Sequence, residues 1–311
     1  MTATLKGEAE PRPVQRRGDS VFAGLAQAAG VTIMLALAGV AIFLLIEGAP
    51  AITASGESAY GEDNIILFVW PLLFGTLLAA VVALILAVPL AVGVALVISH
   101  YAPRRLAKPI GYLIDLLAAI PSVVYGLWGA VVLAPVILPT YTWLAENLGW
   151  LPFFEGPATT GRTILTASIV LAVMVLPIVT AICREIFAQT PTMHQEAALA
   201  LGATKWEMIR MTVFPYARSG AISAVMLGLG RALGETMAVA MIISVSFGTV
   251  TFNLISAEHP STIAANIALN FGNASGTKIN VLIFSGLVLF VISFAVNFAG
   301  RWIAGRGQVK G

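Results

Sequence analysis

GAISAVMLGLGRALGETMAVAMIISVSF, residues 220–247, is long enough to cross a bilayer and carries two charges, Arg231 and Glu235. A helix rises 1.5 Å per residue and the hydrocarbon core is about 30 Å thick, so counting from Gly220 places Arg231 roughly 16 Å and Glu235 roughly 22 Å deep. Both fall near the midplane, where transporters keep their substrate sites. An ionisable residue at that depth costs from about 3 to more than 10 kcal/mol, so it faces a protein interior or a water-filled path and has a partner. This stretch points to a membrane-embedded helical fold and, within it, to a candidate site.

Reading outward, the 311-residue chain is 59% hydrophobic and 10% charged, far below the charge of a soluble domain. Apolar runs at Val21 to Ile46, Pro71 to Ile98, Thr163 to Cys183, Gly220 to Phe247 and Val281 to Ala299 read as spans. A sixth, Ile110 to Leu138, is interrupted by Asp115, Pro121 and Pro135. Such runs satisfy their backbone in lipid as helices rather than as the short alternating strands of a barrel. The expected fold is therefore an all-α integral membrane protein with six transmembrane helices.

Cytoplasmic loops retain Lys and Arg, and the split here is lopsided. Of the 17 Lys and Arg, fourteen fall on one side: Lys6, Arg12, Arg16, Arg17, Arg104, Arg105, Lys108, Arg184, Lys205, Arg210, Arg218, Arg301, Arg306 and Lys310. Arg162 and Lys278 fall on the other. Six spans with both termini in the cytoplasm fit this count. Residues 1–20 then form a cytoplasmic tail, 21–46 a first transmembrane helix, and 71–304 a core of five more helices containing the cytoplasmic loop 184–216. A cleaved secretory signal is rejected, because the first run is long and Glu8, Glu10 and Asp19 dilute its basic flank. The net charge of +2 is spread over four cytoplasmic segments and reads as topology, not as a nucleic-acid surface.

Cys183 is the lone cysteine, which excludes an internal disulfide, and His100, His194 and His259 sit on different loops and are expected to be ordinary surface residues. No metal or nucleophile-and-base constellation is visible, and the two carboxylates within spans, Asp115 and Glu235, lie on different helices. Gly272, Gly276, Thr277 and Lys278 are in the wrong order for a phosphate-cradling Walker loop, so any ATPase must be another chain. Of the outer segments, Glu47 to Asn64 is expected to be a flexible loop. The stretch Pro139 to Gly161, with Tyr141, Trp143, Trp150, Phe153 and Phe154, suits an interfacial anchor or a docking surface. Ser246 to Asn280 reads as a loop with a short helix from Ser261 to Leu269. Pro89, Pro121 and Pro177 fall within spans and are expected to kink or unwind them.

The loop Arg184 to Tyr216 is not a plain linker. Thr190, Pro191 and Thr192 are turn and cap signals before a helix from Met193 to Leu201 that stops at Gly202. A second helix is expected from Thr204, a cap candidate, to about Val213, ending at Pro215. The resulting helix, turn, helix presents an amphipathic element to the cytoplasm.

Glu196, Ala197, Ala198, three residues, Gly202, nine residues, Thr212, any residue, Phe214 and Pro215 resemble the EAA loop of ABC importer permeases, with Thr and Phe where that pattern has Ile and Leu. Gly228 to Val239, GLGRALGETMAV, and Ile120 to Gly129, IPSVVYGLWG, further resemble the PstC group of phosphate-importer permeases. Met-Ala-Val after Gly-Glu-Thr is similar to that group, whereas the PstA group more often has Ala-Pro there. The resemblance runs from about Pro71 to the C-terminus. It implies the MetI-like permease architecture in a bacterial inner membrane. It also implies phosphate as substrate, a PstA-like permease partner, two PstB-like ATPases binding ATP and magnesium, and a PstS-like phosphate-binding protein outside. This chain would bind no cofactor itself.

By the same resemblance, Glu196 to Gly202 form the coupling helix that fits a groove on the ATPase. Arg offers phosphate a fixed fork of donors. Residues four apart share a helix face, so Glu235 is expected to hold Arg231 while the path is empty and to release it to entering phosphate. Gly228, Gly230 and Gly234 are expected to allow close approach near the pair. Asp115 is expected to meet a basic residue or water at the cytoplasmic boundary. The alternatives are an ion pair that only fixes packing and, for the whole protein, an anion transporter coupled to protons or sodium without an ATPase.

Overall fold

The structure is a computed structural model that describes residues 17–57, 60–243 and 250–306. The expected cytoplasmic Lys6, Arg12, Arg16 and Lys310, and residues 244–249 at the end of the Gly220 run, lie outside them. Contacts divide the chain at Ile46 and Glu47 into two units. The first is the helix α1 (Arg17–Gly48) as far as Ile46, largely apolar with exposed side chains; its last two residues belong to the second unit. The second holds α2 (Ile65–Leu96), α3 (Arg104–Ala118), α4 (Ser122–Trp128), α5 (Ala134–Leu148) and α6 (Ile164–Ala188). It continues with α7 (Thr192–Ala200), α8 (Lys205–Met208), α9 (Phe214–Gly234), α10 (Met237–Ile242), α11 (Ile263–Asn270) and α12 (Thr277–Arg306). Among the described residues there is no strand, only an isolated bridge between Gly56 and Glu62.

The centre of the second unit is α2 packed along α6. Ala79, Ala83, Ala87, Ala91 and Ala95 recur every fourth residue on α2 and are all fully buried. Methyl groups at that spacing let two backbones approach closely, which in lipid replaces the hydrophobic effect as the source of association. The facing side of α6 supplies Val170, Leu171, Val175 and Val179, and the Thr180 hydroxyl donates to the Ala91 carbonyl at 3.4 Å. Pro89 and Pro177 are carried inside these helices without ending them.

Three five-residue π-helical turns, Val97–Tyr101, Gly129–Leu133 and Ile209–Val213, each end two residues before a proline: Pro103, Pro135 and Pro215. Proline lacks the N–H that the carbonyl four residues earlier needs and its ring crowds that carbonyl. At Pro135 and Pro215, where the helix continues, a wider turn just ahead of the ring relieves both problems; before Pro103 the chain instead leaves the helix at Ala102. This corrects two expectations. Pro215 does not end a helix: α8 passes through the π turn into α9, making one rod from Lys205 to Gly234. The span expected at Ile110 to Leu138 is instead split at Pro121. Its first part is the amphipathic α3, which carries Asp115, and the membrane-length helix is Ser122–Leu148.

Among the described residues, five helical segments are long and apolar enough to cross a membrane: Ser20–Thr53, Ile65–Tyr101, Ser122–Leu148, Ile164–Ala188 and Thr277–Ile303. The sixth run, Gly220 to Phe247, does not form one continuous helix among the described residues, because it breaks at Glu235.

The outer segments are more ordered than expected. A 3-10 helix, Ala49–Thr53, buries Ala51, and Gly48 lies against the Phe284 backbone of α12. Tyr141 is buried inside the bundle with its hydroxyl 2.8 Å from that of Thr166, while Trp143 and Trp150 point outward. Phe153, Phe252 and Phe74 form an edge-to-face chain, and Leu254 bridges the Phe153 carbonyl and the Leu165 amide. His259, expected at the surface, is fully buried.

Candidate functional site

Arg231 lies in the last turn of α9, where the free carbonyls of a helix C-terminus favour a cation. Gly234 is the last helical residue, Glu235 is extended (φ −69°, ψ 122°), and α10 starts at Met237. The Glu235 carboxylate accepts a hydrogen bond from the Ala238 amide at 3.3 Å, and the Thr236 hydroxyl donates to the Gly234 carbonyl at 3.1 Å. Each charge therefore complements its own helix end.

The expected intrahelical pair is corrected accordingly. Extended backbone at Glu235 removes the one-face geometry of an i, i+4 spacing, and the two side chains make no ion pair within 4.0 Å. They meet instead across an open cavity of about 540 Å³, lined also by Ile178, Met226, Gly230, Gly234 and Asn297. Glu235 is buried, whereas Arg231 is exposed on an outer wall of α9 that also presents Ser223, Leu227 and Gly234.

The three glycines have different neighbours. A Cβ at Gly228 would come within 2.7 Å of Val175 and 2.9 Å of Val179, so this glycine seats α9 on α6. Gly230 and Gly234 have open space and leave room beside Arg231. The Ile120 to Gly129 motif lies behind the break. A Cβ at Gly126 would approach the Ala238 Cα to 2.7 Å, and one at Gly129 would approach Ile242 and Val170 at the same distance. These glycines let α4 clamp α10, and the neighbouring Tyr125 hydroxyl donates to the Leu117 carbonyl at 2.9 Å. Asn297, the polar residue of α12 in this cavity, escaped the sequence reading; an isolated amide within an apolar run is the signal that marks it.

At the other end of the rod, α7 stops in a Schellman arrangement. The Gly202 amide donates to the Leu199 carbonyl at 3.0 Å and the Ala203 amide to Ala198 at 3.2 Å, with Gly202 at φ +87°. Thr204 and Glu207 form a capping box that opens α8: the Glu207 carboxylate accepts from the Thr204 amide at 2.8 Å, which holds the Glu207 carboxyl below its ordinary range. Ala198 is buried, while Glu196, Ala197, Met193 and Leu201 face outward, the last 90% exposed. Pro215 lines a shallow pocket with His194, Ala197 and Tyr216. Exposed apolar groups grouped this way have the character of an interaction surface. Asp115 lies 3.5 Å from Arg184 at the rim of another cavity, both side chains partly exposed, a pairing of small energetic weight. The described residues contain no cluster of His, Cys, Asp and Glu able to hold a metal.

A family model described as binding-protein-dependent transport system inner membrane component matches residues 87–307. Phosphate transport system permease protein PstC 2 of Mycobacterium tuberculosis is 47% identical over 95% of this chain and 94% of its own length. The PstC proteins of Mycobacterium leprae (42% identical, 96% of each chain) and Xylella fastidiosa (40% identical, 97% of this chain and 96% of that one) are similar throughout. Among solved structures, a bacterial ABC transporter for alginate import matches with a TM-score of 0.61 at 15% identity, covering 93% of this chain and 96% of that one. The MetNI methionine ABC transporter matches at 0.53 and 18%, covering 78% and 95%. These last two bear on the fold alone. The chain belongs to the binding-protein-dependent transport system inner membrane components and, within them, to the PstC phosphate transport permeases.

Proposed function

We propose that this chain is the permease subunit of a phosphate ABC importer and forms half of the path by which inorganic phosphate crosses a bacterial inner membrane. It carries out no hydrolysis; ATP and magnesium bind a partner ATPase. The observation that carries this reading is Arg231, exposed on a cavity wall at a helix break, at the far end of a rod that begins in the cytoplasmic EAA element. A cation on an outward wall at this depth needs a second protein surface to enclose it, which suits a PstA-like permease completing the path. Two PstB-like ATPases are assigned to the exposed face of α7, and a PstS-like binding protein to the outer surface. The distribution of Lys and Arg supports a cytoplasmic position for both termini.

Phosphate carries between one and two negative charges near neutral pH and is matched by the fork of donors on a guanidinium. Glu235 and Arg231 face one cavity without touching. This separated arrangement is one state of a gate. When the path is empty, Glu235 leaves the Ala238 amide and neutralises Arg231; when phosphate arrives, it returns. ATP-driven uptake by the reconstituted complex with its binding protein tests this reading. Losing hydrogen bonds to a charged group predicts a fall of about 10- to 100-fold for Arg231→Gln. Glu235→Gln should lower uptake as well, because phosphate would no longer have a competitor that releases it. Near wild-type uptake by both variants, with the ATPase still copurifying, rejects the gate.

A further inference from the structure

The cavity at Arg231 does not end there. Along the same face of α9, toward the α8 end of the rod, lies a second cavity of about 570 Å³ lined by Ser219, Gly220, Ser223, Asn297 and Arg301. Met226, Leu227 and Asn297 line both. The seam is a close contact: a Cβ on Gly300 of α12 would collide with the Met226 thioether, so the methionine lies flat against the glycine. Ser219 and Arg231 are twelve residues apart, about 18 Å along the helix. The two chambers differ in charge. The upper holds Arg231 with Glu235; the lower holds Arg301 with no carboxylate among its described lining residues. Ser219 and Ser223 add hydroxyls, that of Ser223 now donating to the Ser219 carbonyl at 3.0 Å and free to rotate toward a ligand.

We infer that the lower cavity is a second station for a tetrahedral phosphate group, held by the Arg301 guanidinium and the hydroxyls of Ser219 and Ser223, with Met226 as the partition between stations. This rests on the phosphate-import reading. A guanidinium and two hydroxyls match the acceptor-only surface of phosphate. An unbranched thioether changes rotamer with little cost, so it parts two wet chambers without sealing them. Conduction through successive weak sites avoids a single well too deep to leave. The same chemistry would suit the headgroup of an anionic lipid, so the test separates the two sources.

Gly305 lines the lower cavity, and a Cβ there meets no atom within 4 Å. The chain's own thiol, Cys183, is buried, so a Gly305→Cys reporter is the readable cysteine once the partner subunits are cleared of accessible thiols. The full complex in neutral-lipid nanodiscs is labelled with a charged thiol reagent. Phosphate at about ten times its half-protecting concentration should slow labelling about tenfold, and chloride should not. Arg301→Gln should abolish that protection and Arg301→Lys should retain it. Equal labelling with and without phosphate, in a preparation whose wild-type complex imports phosphate, rejects the station and leaves the import reading standing. Failure of the wild-type complex to import phosphate rejects the import reading itself. Protection that appears in phosphate-free buffer on adding phosphatidylglycerol assigns the cavity to a lipid headgroup and removes it from the path. Should Arg301→Gln not assemble, the phosphate and chloride comparison and the Lys variant still decide.

Discussion

Gly202 stands at φ +87° with the amides of residues 202 and 203 bonded back into α7, a conformation that a Cβ strains by about 1 kcal/mol. Gly202→Ala should therefore loosen the end of α7, the proposed coupling element, without touching the membrane core. Its expected signature is weaker copurification of the ATPase with unchanged thermal stability of the permease; an unchanged yield of ATPase would count against α7 as the docking element and would favour a transporter without one. Gly228 works differently. Its Cβ would strike Val175 and Val179, so Gly228→Val should separate α9 from α6 and lower the thermal midpoint, whereas Gly230→Ala, with open space before Asn297, should leave it near wild type. A differential scan of the three proteins checks the order. Arg231, Glu235 and Gly202 were all legible in sequence, because an isolated charge in an apolar run and a glycine after a helix each have few physical explanations. What sequence did not reveal is that Glu235 ends its helix: neither glycine nor proline occupies that position, and the break is defined by the Ala238 amide and by α4 pressing on α10 from a distant part of the chain.

At the scale of elements, the alanine ladder of α2 makes the sharpest prediction. Ala87 is fully buried where α2 meets α6, so Ala87→Leu should overpack the seam by about 1–3 kcal/mol and lower the thermal midpoint, while Val81→Leu on the exposed face should not. The ladder was present in the sequence as a period of four, but apolar length was read there and not the size of the side chains. The prolines taught the opposite lesson. Pro121 does divide two helices, yet Pro135 and Pro215 are absorbed by the π turns before them, which residue type alone does not disclose. The outer cap adds a pH dependence. Burial of His259 holds its imidazole below the ordinary histidine range, so the native state keeps it neutral and the unfolded state binds the proton more readily. The stability it contributes is present above the ordinary histidine pKa and is lost as pH falls through the lower native value. Amide protection in residues 250–266, taken relative to the intrinsic exchange rate at each pH, should fall on acidification through that range, and His259→Gln should flatten the response; equal protection above and below that range would exclude His259 as the cause.

For the whole molecule, the exposed wall of α9 is the decisive property. Ser223, Leu227, Arg231 and Gly234 would meet lipid in an isolated chain, and a bare guanidinium there is costly. The chain made without a second permease should consequently be short-lived and melt at a lower temperature than in complex, with Arg231→Leu recovering part of the difference. An isolated chain as stable as the assembled one would mean that the wall needs no cover. The all-helical membrane fold was legible in the spans and basic loops, and the MetI-like architecture in the resemblance carried by the EAA spacing and the Gly228 to Val239 stretch. Where the cavities lie could not, because they arise from α9 against α12, two helices whose contact no local pattern encodes.

The unbroken rod from Lys205 to Gly234 spans about 45 Å, and Glu235 disconnects it from α10, which α4 grips. A tilt of about 5° imposed at the Lys205 end would carry Arg231 about 3 Å while the clamped α10 stays in place, because a rigid arm converts a small angle into a displacement proportional to its length. On the proposed gate the break would act as a bearing: Arg231 would travel with the rod while the Glu235 backbone stays with the clamped α10, so the distance between the two backbones would gauge how far a partner ATPase had turned the rod.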